Sequence, residues 1–231
     1  MLSRILQGEK KLPKMIFTGS SIKQSFVSNK KPPKSIVYTR TGDKGKSSLF
    51  TGERQLKTSE VFEALGTVDE LSSYVALIRV TIGSKDYKVG ETTLCGLLLN
   101  IQGLLTKMGS HIATPRGSRN QKLVKNTEFS EKHTKHLEKW IDFIDSKNPK
   151  LKNFILPGSN LVESHLNICR SICRRAERRV LALVEKASVD STISKFLNRL
   201  ADFFFVAARF VVFSDGDSEI ISPTNPSLEE I

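Results

Sequence analysis

One stretch, Cys169 to Arg179 (CRSICRRAERR), restricts what this chain can fold into more than any other. It lies inside a helical run from about Asn160 to Lys186. On a wheel of about 100° per residue, Val162, Cys169, Ile172, Cys173, Ala176, Val180 and Leu183 fall on one side. Arg170, Arg174, Glu177 and Arg178 fall on the other. Such a helix must bury its apolar stripe against further helices. Its far side gathers cations that repel one another unless an anion lies among them. Guanidinium forks match phosphate oxygens. The face reads either as a polyphosphate site or as a solvated charged surface with i,i+4 ion pairs.

The rest of the chain supplies the helices that such a stripe needs. A first helix starts at Thr58 or Ser59 and runs to about Val80, with Phe62, Leu65, Leu71, Val75 and Ile78 at helical intervals. Gly66 interrupts it at a cost of about 1 kcal/mol relative to alanine, explained by a close neighbour, a ligand or simple tolerance. A second covers about Thr93 to Ile112 with Leu94, Leu97, Leu98, Ile101, Leu105 and Met108 apolar. A third covers about Ser130 to Ser146 with Leu137, Trp140, Ile141 and Ile144. The arginine helix is the fourth. A fifth covers about Ser191 to Phe213. Its broad apolar side carries Phe196, Leu197, Leu200, Phe203, Phe204, Ala207, Phe210 and Val211. Its narrow polar stripe carries Asn198, Asp202 and Arg209, with Phe205 along it. Residues 116–127 read as a mobile basic loop, and 214–231 as a polar, frayed tail. These elements make an all-α five-helix bundle preceded by a short extended, Gly-rich segment.

That segment, 35–57, reads SIVYTRTGDKGKSSLFTGERQLK. Glycine lets backbone N–H groups approach phosphate closely, and Ser/Thr hydroxyls add donors. Gly45-Lys46-Ser47 resembles the end of a P-loop, but the earlier glycine that motif requires is replaced by Arg40. The segment is either an anion-binding loop or a solvated turn.

Charge and cysteines narrow the classes further. The net charge of +12 is uneven: residues 1–34 hold eight Lys/Arg against one acid, +7, leaving +5 for the remainder. Much of the excess thus belongs to a tail, which reads as an organellar presequence or a basic extension with no address. That weakens a nucleic-acid reading. The three cysteines, Cys95, Cys169 and Cys173, are an odd count, and the last two sit on the apolar stripe. They read as core residues in a reducing compartment, not a disulfide framework. His111, His133, His136 and His165 show no zinc-ligand spacing. No apolar run reaches the length of a membrane span.

Three separated motifs then coincide: YTRTGDKGKSSLFTGER at 38–54, FEALGTVDELSS at 62–73, and FILPG…CRSICRRAERR…KFLNRLADFFFVAAR from 154 to 209. Together they resemble the PduO-type ATP:cob(I)alamin adenosyltransferases. The resemblance implies a five-helix bundle over 35–213, assembled as a homotrimer with interfacial active sites. It implies transfer of the 5′-deoxyadenosyl group of ATP to the cobalt of reduced cobalamin, with Mg²⁺ and release of triphosphate. Thr39, Arg40, Thr41, Gly42, Ser47, Ser48 and Lys57 would hold the nucleotide. Arg174, Arg175, Ala176, Glu177 and Arg178 would complete the phosphate site, with Asn198 from the fifth helix. Arg170 would pair with Asp69 across the interface, and Phe154 would block the lower face of the corrin, with Phe205 assisting. The family's frequent histidine three residues before Arg170 is Asn167 here, with His165 nearby. The resemblance further implies a mitochondrial matrix location and a cobalamin-dependent mutase as recipient, with neither nucleic acid nor membrane as partner. A helical nucleic-acid binder using the basic tail, or a non-catalytic interaction protein, are the competing classes.

Overall fold

The computed structural model describes residues 35, 37–85 and 87–223. The chain divides into two units, 1–39 and 40–231. The basic extension at 1–34 lies outside the described residues.

All five long helices are present: α1 Glu60–Ile82, α2 Leu94–Ile112, α4 Lys132–Asp145, α5 Leu161–Glu185 and α6 Ser191–Ser214. Their ends follow local chemistry. The Thr93 hydroxyl accepts from Gly96 N to open α2, and the Asn160 side chain accepts from Glu163 N to open α5. Glu60 and Glu63 place negative charge in the first turn of α1. The turn after α5 passes through Ala187 at φ 53, a left-handed backbone in which a β-carbon is crowded.

Packing runs across the bundle in the order α2, α1, α5, α6, α4, so α5 lies centrally between α1 and α6. Its whole apolar stripe, Val162 through Leu183, is buried. So are Leu71, Val75 and Ile78 of α1, every apolar residue expected of α2, and Phe196, Leu197, Phe203 and Phe204 of α6. Each fully buried Leu or Phe contributes about 1.5–3 kcal/mol, which is what holds α5 in the middle. A β-carbon at Gly66 would meet nothing within 4 Å in the chain, so packing inside one chain gives no reason for this glycine.

Two segments differ from expectation. The basic loop contains a sixth, short helix, α3 Gln121–Asn126, capped by the Asn120 side chain on Leu123 N at 3.1 Å. So short a helix shows no hydrophobic period, so only its cap was legible. Buried His111 ties this region together. Its Nε2 accepts from Asp190 N at 3.2 Å, which leaves Nδ1–H to donate to Thr127 O at 3.0 Å. The second segment is the chain after α6. Instead of fraying at once, Ile220–Ile221 (β6) pairs antiparallel with Ile155–Leu156 (β5), and Ser222 N donates to Phe154 O at 2.8 Å.

The Gly-rich segment folds as a hairpin, β1 Lys46–Ser48 against β2 Arg54–Leu56. Gly45 and Gly52 turn the chain at φ 74 and 85, a conformation open to glycine at little cost. Buried Leu49 and a Phe50 N bond to Ala113 O at 3.0 Å fasten the hairpin to the end of α2. A further short ladder, Lys88–Val89 (β3) with Thr92–Thr93 (β4), closes the turn between α1 and α2. No helix among the described residues is long and apolar enough to cross a membrane.

Candidate active site

The arginines of α5 divide by the side of the helix they leave. Arg175 turns toward α1 and pairs with Glu70. Arg179 approaches Glu63 at 3.7 Å and Lys186 reaches Glu60 at 2.5 Å, making a ladder between the two helices. Arg174 and Arg178 are exposed on the outer face. Glu177 turns toward α6, where Asn198 Nδ2 donates to its Oε1 at 3.0 Å. This pair lines a cleft of about 450 Å³ with Lys195, Arg199 and Glu138. Ala176 is fully buried, so it acts as packing under the arginine face. The expected cluster is therefore graded: Arg174 and Arg178 are presented outward, and Arg175 is already engaged by a carboxylate.

The Gly-rich loop has its own anchoring. Arg54 donates to Thr41 O at 2.6 Å and to Lys46 O at 3.2 Å, stapling the turn shut. The Lys57 amine lies over Gly42, where a β-carbon would sit 3.3 Å from its Nζ. Ser47 is half-buried and Ser48 exposed. Arg40 is held at φ 58, a left-handed backbone rarely kept without a reason. Thr39 lies in the first unit and is exposed.

The hairpin leads into the start of α1, where Glu60 meets Lys186. Along α5, Arg178 and Arg174 lie about 12 and 18 Å from Lys186, at about 1.5 Å rise per residue. Glu70, which meets Arg175, lies about 15 Å farther along α1 at about 1.5 Å rise per residue. Asp69 is exposed on α1, whereas Arg170 faces α6 with its guanidinium 5.5 Å from the Phe205 ring centroid. So one chain does not join Asp69 to Arg170.

An aromatic cavity, by contrast, is assembled inside the chain. Phe154 is 89% exposed and sits beside β5, at the edge of a cavity of about 350 Å³. Phe205, Arg170, Asn167, Glu163 and Arg209 complete the wall that matters. Phe205 is half-buried and Arg170 covers its face, a cation–π contact that orients both. His165 does not line this cavity, while Asn167 does. Periodicity missed two residues here. Arg209, expected on an exposed polar stripe, is only 4% exposed and bonds Glu219 at 2.6 Å and Pro149 O at 2.8 Å. Glu163, in the first turn of α5, is 5% exposed and accepts from Gly158 N at 2.9 Å and Asn167 Nδ2 at 2.5 Å. Glu163 could have been suspected as the acidic residue three after a capping Asn160.

No thiol is poised as a nucleophile on α5. Burial pushes Cys169 up to about 12. Cys173 is raised well above its usual value, mainly by burial and then by Glu177, and donates to Leu197 O at 3.2 Å.

Residues 37–211 match the family model described as cobalamin adenosyltransferase. The chain is 45% identical over 185 residues to corrinoid adenosyltransferase MMAB of Mus musculus, covering 80% of this chain and 76% of the relative. It is 43% identical to the Homo sapiens protein of that name, covering 87% and 79%. It is 39% identical to a corrinoid adenosyltransferase of Bacillus subtilis, covering 80% and 90%. A variant of the PduO-type ATP:corrinoid adenosyltransferase from Lactobacillus reuteri, solved with cobalamin and ATP, superposes with a TM-score of 0.73. That alignment has 31% identity and covers 81% of this chain and 97% of that one. With the bundle, the arginine helix and the aromatic cavity all in place, the chain belongs to the cobalamin adenosyltransferase family, as a corrinoid adenosyltransferase of the PduO type.

Proposed function

We propose that the protein transfers the 5′-deoxyadenosyl group of ATP to the cobalt of cob(I)alamin, with the corrin over the Phe154 cavity and the triphosphate on the outer face of α5. The observation that carries this is the solvent-facing Phe154 ring beside Phe205 and Arg170, the latter about one and two turns of α5 before Arg174 and Arg178. Exposed Leu151, Leu156 and Ile221 lie around it, and a contiguous apolar patch of this kind marks a ligand surface. The flat apolar underside of a corrin has the right shape and polarity for it.

The electron pair comes from Co(I), so the protein need not supply a nucleophile. As the cobalt–carbon bond forms at C5′, the C5′–oxygen bond breaks and its electrons pass to the triphosphate. Arg174, Arg178 and Lys57 meet that growing negative charge, together with backbone N–H groups of the loop. Asn198 holds Glu177 in place beside them and would contact the nucleotide. Phe154 keeps an axial ligand off the lower face of cobalt, which eases reduction to Co(I). Phe205, fixed by Arg170, backs that wall. Mg²⁺ would come in on the triphosphate, whose oxygens and waters supply most of its ligands.

The loop and the outward arginines sit at different levels along the bundle, which supports a nucleotide site completed by a second copy. We assign a homotrimer with interfacial sites, in which Asp69 of one copy meets Arg170 of the next. A location in the mitochondrial matrix and delivery of product to a cobalamin-dependent mutase belong to the same reading. The decisive assay incubates the protein anaerobically with ATP, Mg²⁺ and chemically reduced cobalamin. A cobalt–carbon bond spectrum is expected; an unchanged Co(I) spectrum would overturn the reading.

A further inference from the structure

We propose that Asn167 is a specificity-determining residue of the aromatic cavity, whose Oδ1 accepts a hydrogen bond from a primary amide on the rim of the corrin. This rests on the reading that the cavity takes the corrin. Asn167 Nδ2 donates to Glu163 Oε1 at 2.5 Å and to Glu163 O at 3.2 Å. Both amide protons are thereby spent on one residue. The orientation of the amide is fixed by chemistry as well as by placement, because an ionised carboxylate can only accept. What remains for a ligand is Oδ1, on a side chain that lines the 350 Å³ cavity and an adjoining one of about 620 Å³.

Glu163 is itself held. It is 5% exposed, accepts from Gly158 N at 2.9 Å and from the Ser164 hydroxyl at 3.4 Å, and sits in the first turn of α5 where its charge is favoured. It also links the connector after Phe154 to the helix that bears Arg170. This stretch of cavity wall therefore presents an acceptor backed by an anion. A ligand amide offers N–H to that wall. A ligand carboxylate would face an acceptor it cannot satisfy, next to a second negative charge. Cobalamin carries primary amides around its ring, so the wall favours fully amidated corrinoids over those bearing free acids.

The test compares cob(II)alamin with its isomeric monocarboxylates, each with one rim amide hydrolysed, in binding titrations with the full-length protein and ATP. The unmodified protein should bind at least one isomer about tenfold more weakly than cobalamin, since a site built to bond a donor rejects the analogue lacking it. Asn167→Leu should remove that difference by weakening cobalamin, with the KM for ATP unchanged. Asn167→His keeps one ring nitrogen as donor to Glu163 and the other as acceptor, and should preserve the preference. If Asn167→Leu fails to fold in a thermal melt, Asn167→Ser keeps a donor for Glu163 while its shorter side chain draws the oxygen back out of reach of the ligand, and serves as the same readout. Equal binding of all the corrinoids by the unmodified protein, or a preference that survives Asn167→Leu or Asn167→Ser, would overturn the proposal. Failure of the underlying reading looks different: Phe154→Ala would then leave corrinoid affinity and the Co(II) spectrum untouched.

Discussion

The two halves of the site are built in opposite ways. The aromatic cavity is finished within one chain: Phe154 from just before β5, Arg170 and Asn167 from α5 and Phe205 from α6 already touch or share a wall. The phosphate half is left open. In the proposed phosphate half the loop is stapled near the start of α1, and Arg178 and Arg174 stand about 12 and 18 Å along α5 from Lys186, which meets that start. A ring-shaped substrate needs a rigid floor, which local packing can supply. A triphosphate needs cations from several directions, and clustering those in one chain without the anion would cost repulsion. The proposed sharing of the cations between copies would spare each chain the added repulsion of Lys57 beside its own arginines.

The sharpest way to break this comparison is complementation. Arg174→Ala alone should lower kcat by about a hundredfold or more, the usual effect of removing a preorganised charge at a leaving group. Lys57→Ala should do the same from the loop side. Refolding the two inactive variants together should restore a fraction of the activity, because some mixed interfaces carry both intact halves. Activity that stays at the level of the single variants after mixing, with trimers confirmed by light scattering, would mean that both residues serve one site within one chain.

Phe154→Ala comes next and addresses the other half. Loss of the exposed ring should slow reduction of bound Co(II) by at least about tenfold, with the KM for ATP nearly unchanged and little effect on the thermal midpoint. Stability should hardly move because the ring is 89% exposed and contributes little to folding. Equal loss of corrin and ATP function would remove the distinction between a cavity for one substrate and a face for the other.

The fold was legible because it depends on period. The apolar stripes of α2, α5 and α6 read directly as buried residues, with Phe210 half-buried, and the starts of α2 and α5 fell at Thr93 and Asn160. Recognition of the site depended on motif resemblance, which picked out Arg174, Phe154 and Asn198 together. Neither route could show that Arg175 is paired with Glu70, because ion pairs between helices depend on the rotation of both. Arg209 was misplaced for a related reason. A polar residue at an exposed-looking angle becomes buried when a later segment folds over it, and Glu219 does that from just before β6. The β5–β6 ladder was invisible because two residues on each side give no alternation to read.

The buried thiols test α5 from its hidden side, and their effect appears only in alkali. The free thiol value is near 9, whereas Cys169 stays protonated up to about 12 because its burial disfavours the thiolate. Its contribution is fully present below pH 9. Above that the unfolded chain loses its proton first, so stability should decline as pH rises toward 12. Cys169→Ala should flatten that decline in urea titrations at pH 8 and pH 10, while a matching drop in both proteins would place the alkaline loss elsewhere. At neutral pH a maleimide should leave Cys169 and Cys173 unmodified in the folded protein.

The smallest effect concerns the ladder between α1 and α5. Arg175 and Glu70 are both more than 40% exposed, so solvent screens them, and a double-mutant cycle should give a coupling of about 0.5 kcal/mol. Its interest lies in the sign of a second measurement. If the triphosphate draws Arg175 away from Glu70, Glu70→Gln releases the arginine in advance and ATP should bind more tightly, by about twofold, the same 0.5 kcal/mol. If Arg175 serves only to hold α5 against α1, ATP affinity should not change and the thermal midpoint should fall slightly. We expect the first outcome, because Arg175 shares the 620 Å³ cavity with Arg178 and a phosphate bound to one lies within reach of the other. The arginine that pairs inside the chain would then be held by a weak bond that the nucleotide replaces, and Arg174, already exposed, would have no bond to exchange.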